Sequence, residues 1–393
     1  MVSNEFCKMM LDFLIEGKDG QQKARDLLLQ SAFNVEQALR MLIQFECAQQ
    51  RISQDVMLKF VVSLPQSDWV VFACDLMLQK SLVWDKCAVA VILRKVMATL
   101  TRRALMLAEI CWIRHLSSGV RAIASSAPVT ITSAIDNNHL YVAGEGYMHD
   151  KCNWSVFCWK GQWTPDNKKE LWQFVPVSVG SSDFYILNVY ADAYIYASEF
   201  TVITDVGDCT MKRVLVSRYK KCLPDAAGIW RLVALEGNWY SFYNAATDAI
   251  LCSPTEAPDD CRRGVATRTF RPLDETRSKC HEWKITSVTS SKLETGLVAF
   301  FAKNYDKAAR TCTEILTMDH ISDVDRAKLL CYRMVANLML NNIGCFEQDW
   351  TEAKDLNKSS QLRFDILCEC LSSDERKIVE ERVPRKLVKE TVV

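Results

Sequence analysis

Phe184-Tyr185-Ile186-Leu187-Asn188 and Trp239-Tyr240-Ser241-Phe242-Tyr243-Asn244 are one strand written twice. Four residues after each Asn comes an Asp-Ala turn, Asp192-Ala193 and Asp248-Ala249. Asn138-His139-Leu140-Tyr141-Val142-Ala143 is a fainter copy, which sets Asn138 beside the two aspartates. Each unit closes on a tryptophan: Leu171-Trp172-Gln173-Phe174, Ile229-Trp230-Arg231-Leu232 and Glu282-Trp283-Lys284-Ile285. Between turn and tryptophan lies another short strand, at Ser155–Trp159, Arg213–Ser217 and Gly264–Arg268. The tryptophans are 58 and 53 residues apart, the turn residues 54 and 56. Unrelated landmarks that share one period mark an internal repeat.

Three copies of about four strands between Thr130 and Val288 have to hide their sheet edges. A closed barrel with a hairpin cap does so, and threefold repetition selects it over a plain sandwich. The expected fold of this stretch is a β-trefoil, with Trp172, Trp230 and Trp283 in its core. Helical periodicity flanks it. Phe6, Met9, Met10, Phe13 and Leu14 fall at helical spacing, and Asn34 reads as an N-cap before Val35, Ala38, Leu39 and Leu42. Further helices are expected at Asp55–Leu64 and Asp68–Gln79, and one long helix over Asp85–His115. Turn residues at Ser117-Ser118-Gly119 and Ser125-Ser126-Ala127-Pro128 end this part, and helical patterning resumes at Lys292. The chain is therefore expected to be an α+β multidomain protein: a helical domain at 1–126, a trefoil at 127–290 and helical hairpins with a charged tail at 291–393.

The 393 residues carry no net charge, with 48 Lys and Arg against 48 Asp and Glu, so the basic surplus of a nucleic-acid-binding protein is absent. No apolar run is long enough to span a membrane. Seventeen cysteines without a secretory signal read as free thiols in a reducing, cytoplasmic setting. The alternative is a secreted chain whose signal has been removed, with Asn153-Trp154-Ser155 and Asn357-Lys358-Ser359 as glycosylation sequons.

Two family resemblances bear on the flanks and the centre. Gly296, Tyr305 and Ala308 fall at the spacing of the tetratricopeptide repeat, and Tyr332–Leu340 followed by Phe346 is similar to a second unit. That resemblance implies docking of a protein partner, with Lys303, Asn304, Tyr305, Arg333 and Asn337 as candidate contacts. Asp68-Trp69-Val70-Val71-Phe72-Ala73-Cys74-Asp75-Leu76, together with the trefoil strands, resembles the insect 30-kilodalton lipoproteins. Storage, or carriage of lipid or sugar, is what this second resemblance implies, although that family is shorter and lacks the C-terminal segment.

Residues with chemistry are sparse. Five histidines are present, and there is no phosphate loop, nucleophile elbow or HExxH. His149, Cys152 and Cys158 have the residue types of a zinc site, but cysteine is abundant throughout, so neither a metal nor a cofactor is expected. Trefoils often bind sugar at three related pockets, for which Asn138, Asp192 and Asp248 with Tyr141, Tyr194 and Tyr243 are the candidates. The competing reading is that the Asn and Asp residues simply make hairpin turns. The expected function is non-enzymatic binding, as an adaptor for a protein partner.

Overall fold

A computed structural model describes residues 2–31, 34–80, 84–100, 102–144, 148–159, 168–202, 211–217, 225–235, 238–253, 261–269, 279–288, 292–317, 321–356 and 360–383. The chain forms two compact units, Met1–Val96 with Leu116–Thr289, and Met97–His115 with Ser290–Val393.

The first unit opens with α1 (Val2–Ile15), α2 (Lys18–Gln30), α3 (Val35–Gln49), α4 (Gln54–Val62), α5 (Ser67–Gln79) and α6 (Lys86–Met97). Asn34 caps α3 as expected, its side chain accepting from Glu36 N at 2.8 Å and from Gln37 N. The helix expected over Asp85–His115 is two helices. α6 ends at Met97, and α7 (Arg102–His115) belongs to the second unit, whereas the sequence placed it in the N-terminal domain. The apolar residues of this stretch serve two cores, which periodicity alone does not reveal. Cys87 to Leu93 are all buried in the first, and Ala108, Ile110 and Cys111 in the second.

After α8 (Ser118–Ala124) come β1 (Val129–Ser133), β2 (His139–Val142), β3 (Asn153–Trp159), β4 (Trp172–Pro176), β5 (Asp183–Asn188), β6 (Ala193–Val202) and β7 (Met211–Ser217). They are followed by β8 (Ile229–Ala234), β9 (Trp239–Asn244), β10 (Ile250–Cys252), β11 (Arg262–Gly264), β12 (Ala266–Arg268) and β13 (Trp283–Ser287). All pairings are antiparallel. β1 pairs β4, β4 pairs β5, β5 pairs β8, β8 pairs β9, β9 pairs β13 and β13 returns to β1, so six strands close a barrel. The hairpins β2–β3, β6–β7 and β10–β12 lie outside this ring and join one another through β3–β7 and β7–β12. Barrel and hairpins together are trefoil-like.

Hydrogen bonds repeat with the strands. The indole Nε1 of Trp172 donates to Leu140 O at 2.9 Å, that of Trp230 to Ile195 O at 3.1 Å and that of Trp283 to Leu251 O at 3.0 Å. Each tryptophan is fully buried and ties a closing barrel strand to the first strand of its own hairpin. A buried indole needs such an acceptor, because an unpaired N–H costs about 1–3 kcal/mol. Phe174, Phe184 and Phe242 fill the barrel beside them, with Phe174 at 5.9 Å from Phe184 and 6.0 Å from Phe242 between ring centres.

In the second unit α7 is joined by α9 (Lys292–Phe301), α10 (Tyr305–Leu316), α11 (Asp323–Met339), α12 (Ile343–Leu356), α13 (Ser360–Glu369) and α14 (Ser373–Arg382). Tyr332 is fully buried between Phe300 at 5.0 Å and Phe301 at 5.8 Å. Glu109 of α7 takes Lys328 at 3.1 Å and Arg363 at 2.8 Å, which fastens α7 to α11 and α13. Burial would raise the Glu109 carboxyl, but these two cations outweigh it and hold it below the usual carboxylate range. Among the described residues no helix is long and apolar enough to cross a membrane.

Candidate functional site: a cleft where the threefold repeat is broken

The three turns are geometrically equivalent, but not at the residues the sequence aligned. Asp192 N bonds Asn188 O, Asp248 N bonds Asn244 O, and in the first copy Asn137 N bonds Ser133 O, each at 2.9 to 3.0 Å. Asn137, Asp192 and Asp248 all adopt left-handed backbone, with φ of 57°, 50° and 50°. Asn and Asp tolerate that conformation better than other side chains. The counterpart of the aspartates is therefore Asn137. Asn138 is buried one position further on, with its Nδ2 donating to Asp136 Oδ2 at 2.7 Å. The first copy misled because Ser133 stands where the others have Asn188 and Asn244. Those two amides each donate to a carbonyl before the closing strand (Lys169 O at 3.0 Å, Ala227 O at 2.7 Å) and accept from the turn that follows.

The tyrosines divide in the same way. Counted from the turn residues, Tyr141 corresponds to Tyr196 and Cys252, Tyr194 to His139 and Ile250, and Tyr243 to Leu187 and Thr132. No three of the candidates form one ring of equivalent pockets. Tyr141 lies 5.5 Å from the ring of Trp159, and Tyr194 lies 5.5 Å from Tyr185. The second candidate sequon, Asn357-Lys358-Ser359, lies outside the described residues. Asn153 of the first is also occupied. Its Nδ2 donates to both carboxylate oxygens of Asp150, and its Oδ1 accepts from Tyr196 at 2.8 Å.

The five docking candidates of the second unit are held by internal partners. Lys303 Nζ lies 3.1 Å from Glu375, the Tyr305 hydroxyl donates to Glu375 at 2.7 Å, and Asn304 caps α10 through Lys307 N. Arg333 holds Asp349, and Asn337 Nδ2 reaches the same carboxylate at 3.3 Å. Among the described residues no three His, Cys, Asp or Glu side chains converge on a metal-sized site. The zinc candidates stand apart in role: Cys158 is fully buried, and the His149 ring packs 4.5 Å from Phe200.

Elsewhere the repeat is asymmetric. Counting from the three tryptophans, Phe174, Leu232 and Ile285 are equivalent barrel positions. Two of them are covered by α8 and the turn after it. Ser126 Oγ donates to Phe174 O at 2.8 Å, and α8 lies so close to Ile285 that a Cβ on Gly119 would stand 2.6 Å from its carbonyl oxygen. The third, Leu232, faces a cleft of about 490 Å³, whose wall is Ser53–Asp55, Trp84, Asp85, Ser181–Asp183 and Arg231–Ala234.

The polar wall of this cleft is organised by Asp85. Its Oδ1 accepts from Cys87 N at 2.7 Å and Ala88 N at 3.4 Å, the arrangement of an N-cap at the start of α6. Burial raises its pKa, opposed by a hydrogen bond from Ser182 and by the two amides. Gln54 bridges the two sides, accepting from Asp85 N at 2.8 Å and donating to Ser182 Oγ at 3.3 Å. Arg231 Nε lies 3.1 Å from Asp183 Oδ1. Sequence reasoning missed this site, because its residues come from four separated segments, and the repeat that contains Arg231 and Leu232 marks the barrel rather than a pocket.

No protein-family model matches the chain, and no curated protein matches it either. Among solved structures, the designed 3-fold symmetric protein ThreeFoil matches with 12% identity over 41% of this chain and 99% of its own, at a TM-score of 0.31. A salivary protein of Culex from the Cysteine and Tryptophan-Rich family matches with 15% identity over 41% and 94%, also at 0.31. The BEL beta-trefoil matches with 12% identity over 41% and 93%, at 0.29. At such scores the trefoil-like description rests on the strand pairing and the repeated indole bonds.

Proposed function

We propose that the chain is a non-enzymatic binding or adaptor protein that recognises a protein partner through the cleft of its first unit. The observation that carries this reading is the broken threefold: α8 seals two of three equivalent barrel positions, while the third opens onto a preformed space of about 490 Å³. A concave site with few, fixed polar groups is the usual form of a binding site. We read the barrel as a β-trefoil proper and the helices from Lys292 to Leu356 as tetratricopeptide-like hairpins that support the second unit. Their signature residues serve packing: Ala308 is buried, and a Cβ on Gly296 would touch Cys312 at 3.4 Å. A photo-crosslinking residue placed at Val233 and, separately, at Asp192 tests the assignment. Crosslinks to a partner from Val233 and not from Asp192 support the cleft, and the reverse pattern returns the function to the turns.

A second reading, carriage of lipid or sugar in the manner of the 30-kilodalton lipoproteins, draws support from the union of N-terminal helices and barrel in one compact unit. Organic extraction of purified protein followed by mass spectrometry separates the two readings, since a carrier yields a stoichiometric lipid.

A further inference from the structure

We infer that the occupant of the cleft is an extended peptide segment carrying a basic side chain, which lies along β8 at Leu232–Ala234 and sets its cation against Asp55. This rests on the cleft being the binding site.

The first support is the backbone. β8 pairs β9 as far as Ala234, and Leu235 N donates to Trp239 O at 2.7 Å, so Val233 and Leu235 turn their polar groups toward β9. By the alternation of a strand, Leu232 and Ala234 turn theirs the other way, toward β5 and the cleft. On that side β5 pairs only Ile229–Arg231, with one further bond from Leu232 N to Ser182 O at 3.3 Å. The chain before Ser182 then leaves the β8 edge. Val177 N bonds Asp183 O to close the β4–β5 hairpin, and Gly180, at φ 80°, brings the loop so close to the helices that a Cβ added there would stand 3.5 Å from Leu58 and 3.3 Å from Ile92. Among the described residues the cleft side of Ala234 is thus an open strand edge next to the last bond to Ser182, which is the geometry of strand addition.

Charge selects the side chain. Three carboxylates, Asp55, Asp85 and Asp183, face one guanidinium, Arg231. Arg231 is taken by Asp183, and the Asp85 carboxylate is taken by the start of α6 and Ser182. Asp55 is exposed and has no ion pair among the described residues. An acidic segment would meet an excess of like charge there, three carboxylates against one guanidinium that is already paired with Asp183. A sugar is a poorer fit, because Trp84, the aromatic residue of the wall, is 5% exposed and spends its Nε1 on Cys47 Sγ at 3.3 Å.

The test uses full-length protein and three blocked seven-residue peptides of alternating valine and threonine, with lysine, glutamate or N-methylated lysine at the centre. Backbone hydrogen exchange reads protection of the Ala234 amide, whose neighbours in β8 are already bonded to β9 and Ser182, and of residues 53–55. The lysine peptide is expected to protect both, the other two markedly less. Asp55→Asn should weaken binding roughly fivefold at low salt, the size of a partly exposed ion pair. Ala234→Pro, which removes the N–H facing the cleft at a strand end that tolerates proline, should abolish protection while leaving thermal unfolding nearly unchanged. Equal protection by the glutamate peptide, or no protection by the lysine peptide, overturns the basic-segment inference and leaves the cleft as a site. Binding that persists in Ser182→Trp, which fills the cleft, overturns the inference and the proposed site together.

Discussion

Arg333 grips Asp349 with two parallel hydrogen bonds, Nε to Oδ2 at 3.0 Å and Nη2 to Oδ1 at 2.7 Å. The carboxylate is almost completely buried, and the third guanidinium nitrogen donates to Thr313 at 3.0 Å, so α10, α11 and α12 meet at one ion pair. Removing one partner strands the other in a low-dielectric interior. Arg333→Ala should therefore destabilise the second unit by about 3–5 kcal/mol in urea unfolding. A stable variant that merely loses a partner would mean that Arg333 docks rather than builds.

Trp230→Phe keeps a single aromatic ring in place of the bicyclic indole and deletes the donor to Ile195 O. It should cost about 1–3 kcal/mol for the orphaned carbonyl, and Trp230→Ala about 3–5 kcal/mol for the cavity. Trp172 and Trp283 occupy equivalent positions and should give the same ordering in denaturant titrations. A neutral Phe variant at all three would remove the indole bonds from the account of barrel stability.

Gly119 sits where α8 touches the barrel. Gly119→Ala puts a methyl group 2.6 Å from Ile285 O, which a helix can relieve only by moving outward. Overpacking of this kind costs about 1–3 kcal/mol. The expected result is a lowered unfolding temperature, together with faster hydrogen exchange of the Ile285 region.

Asp192 and Asp248 adopt left-handed backbone, so glycine should replace either at little cost, whereas valine should destabilise by roughly 1–2 kcal/mol. Glycan-array binding lost on Asp192→Gly, with stability intact, would instead give these turns a ligand.

Acid should loosen the second unit through Glu375. Burial alone would raise this carboxyl, but hydrogen bonds from Tyr305, Ser372 and Lys303 outweigh it and hold the pKa at about 2. The folded value lies below the unfolded one, so the stabilisation is complete above the ordinary glutamate range and fades as pH falls from about 4.5 toward 2. Urea midpoints of Glu375→Gln should be lower at neutral pH and flatter across that window.

The tryptophans and the Asn–turn–Asp spacing made the barrel legible, because each residue does one geometric job that leaves few alternatives. The sequence pattern sets the first copy one residue out of place, since Ser133 makes the turn bond with its backbone and hides the missing Asn. The break between α6 and α7 was not legible, because both helices are apolar and only the choice of core separates them. The cleft was hidden for another reason. It arises where the loop after β4 turns at Gly180 toward Leu58 and Ile92, which are far away in the sequence.

The assignment of α7 to the second unit also has a temporal meaning. During synthesis Ile110, Cys111 and Trp112 emerge before the whole barrel, yet the helices that bury them begin at Lys292. At about 5–20 residues per second the helix waits roughly ten to thirty-five seconds with its apolar face bare. A nascent chain, or one cut short after the barrel, therefore displays a sticky helix of the kind that chaperones hold, and completion of the C-terminal end is the event that covers it.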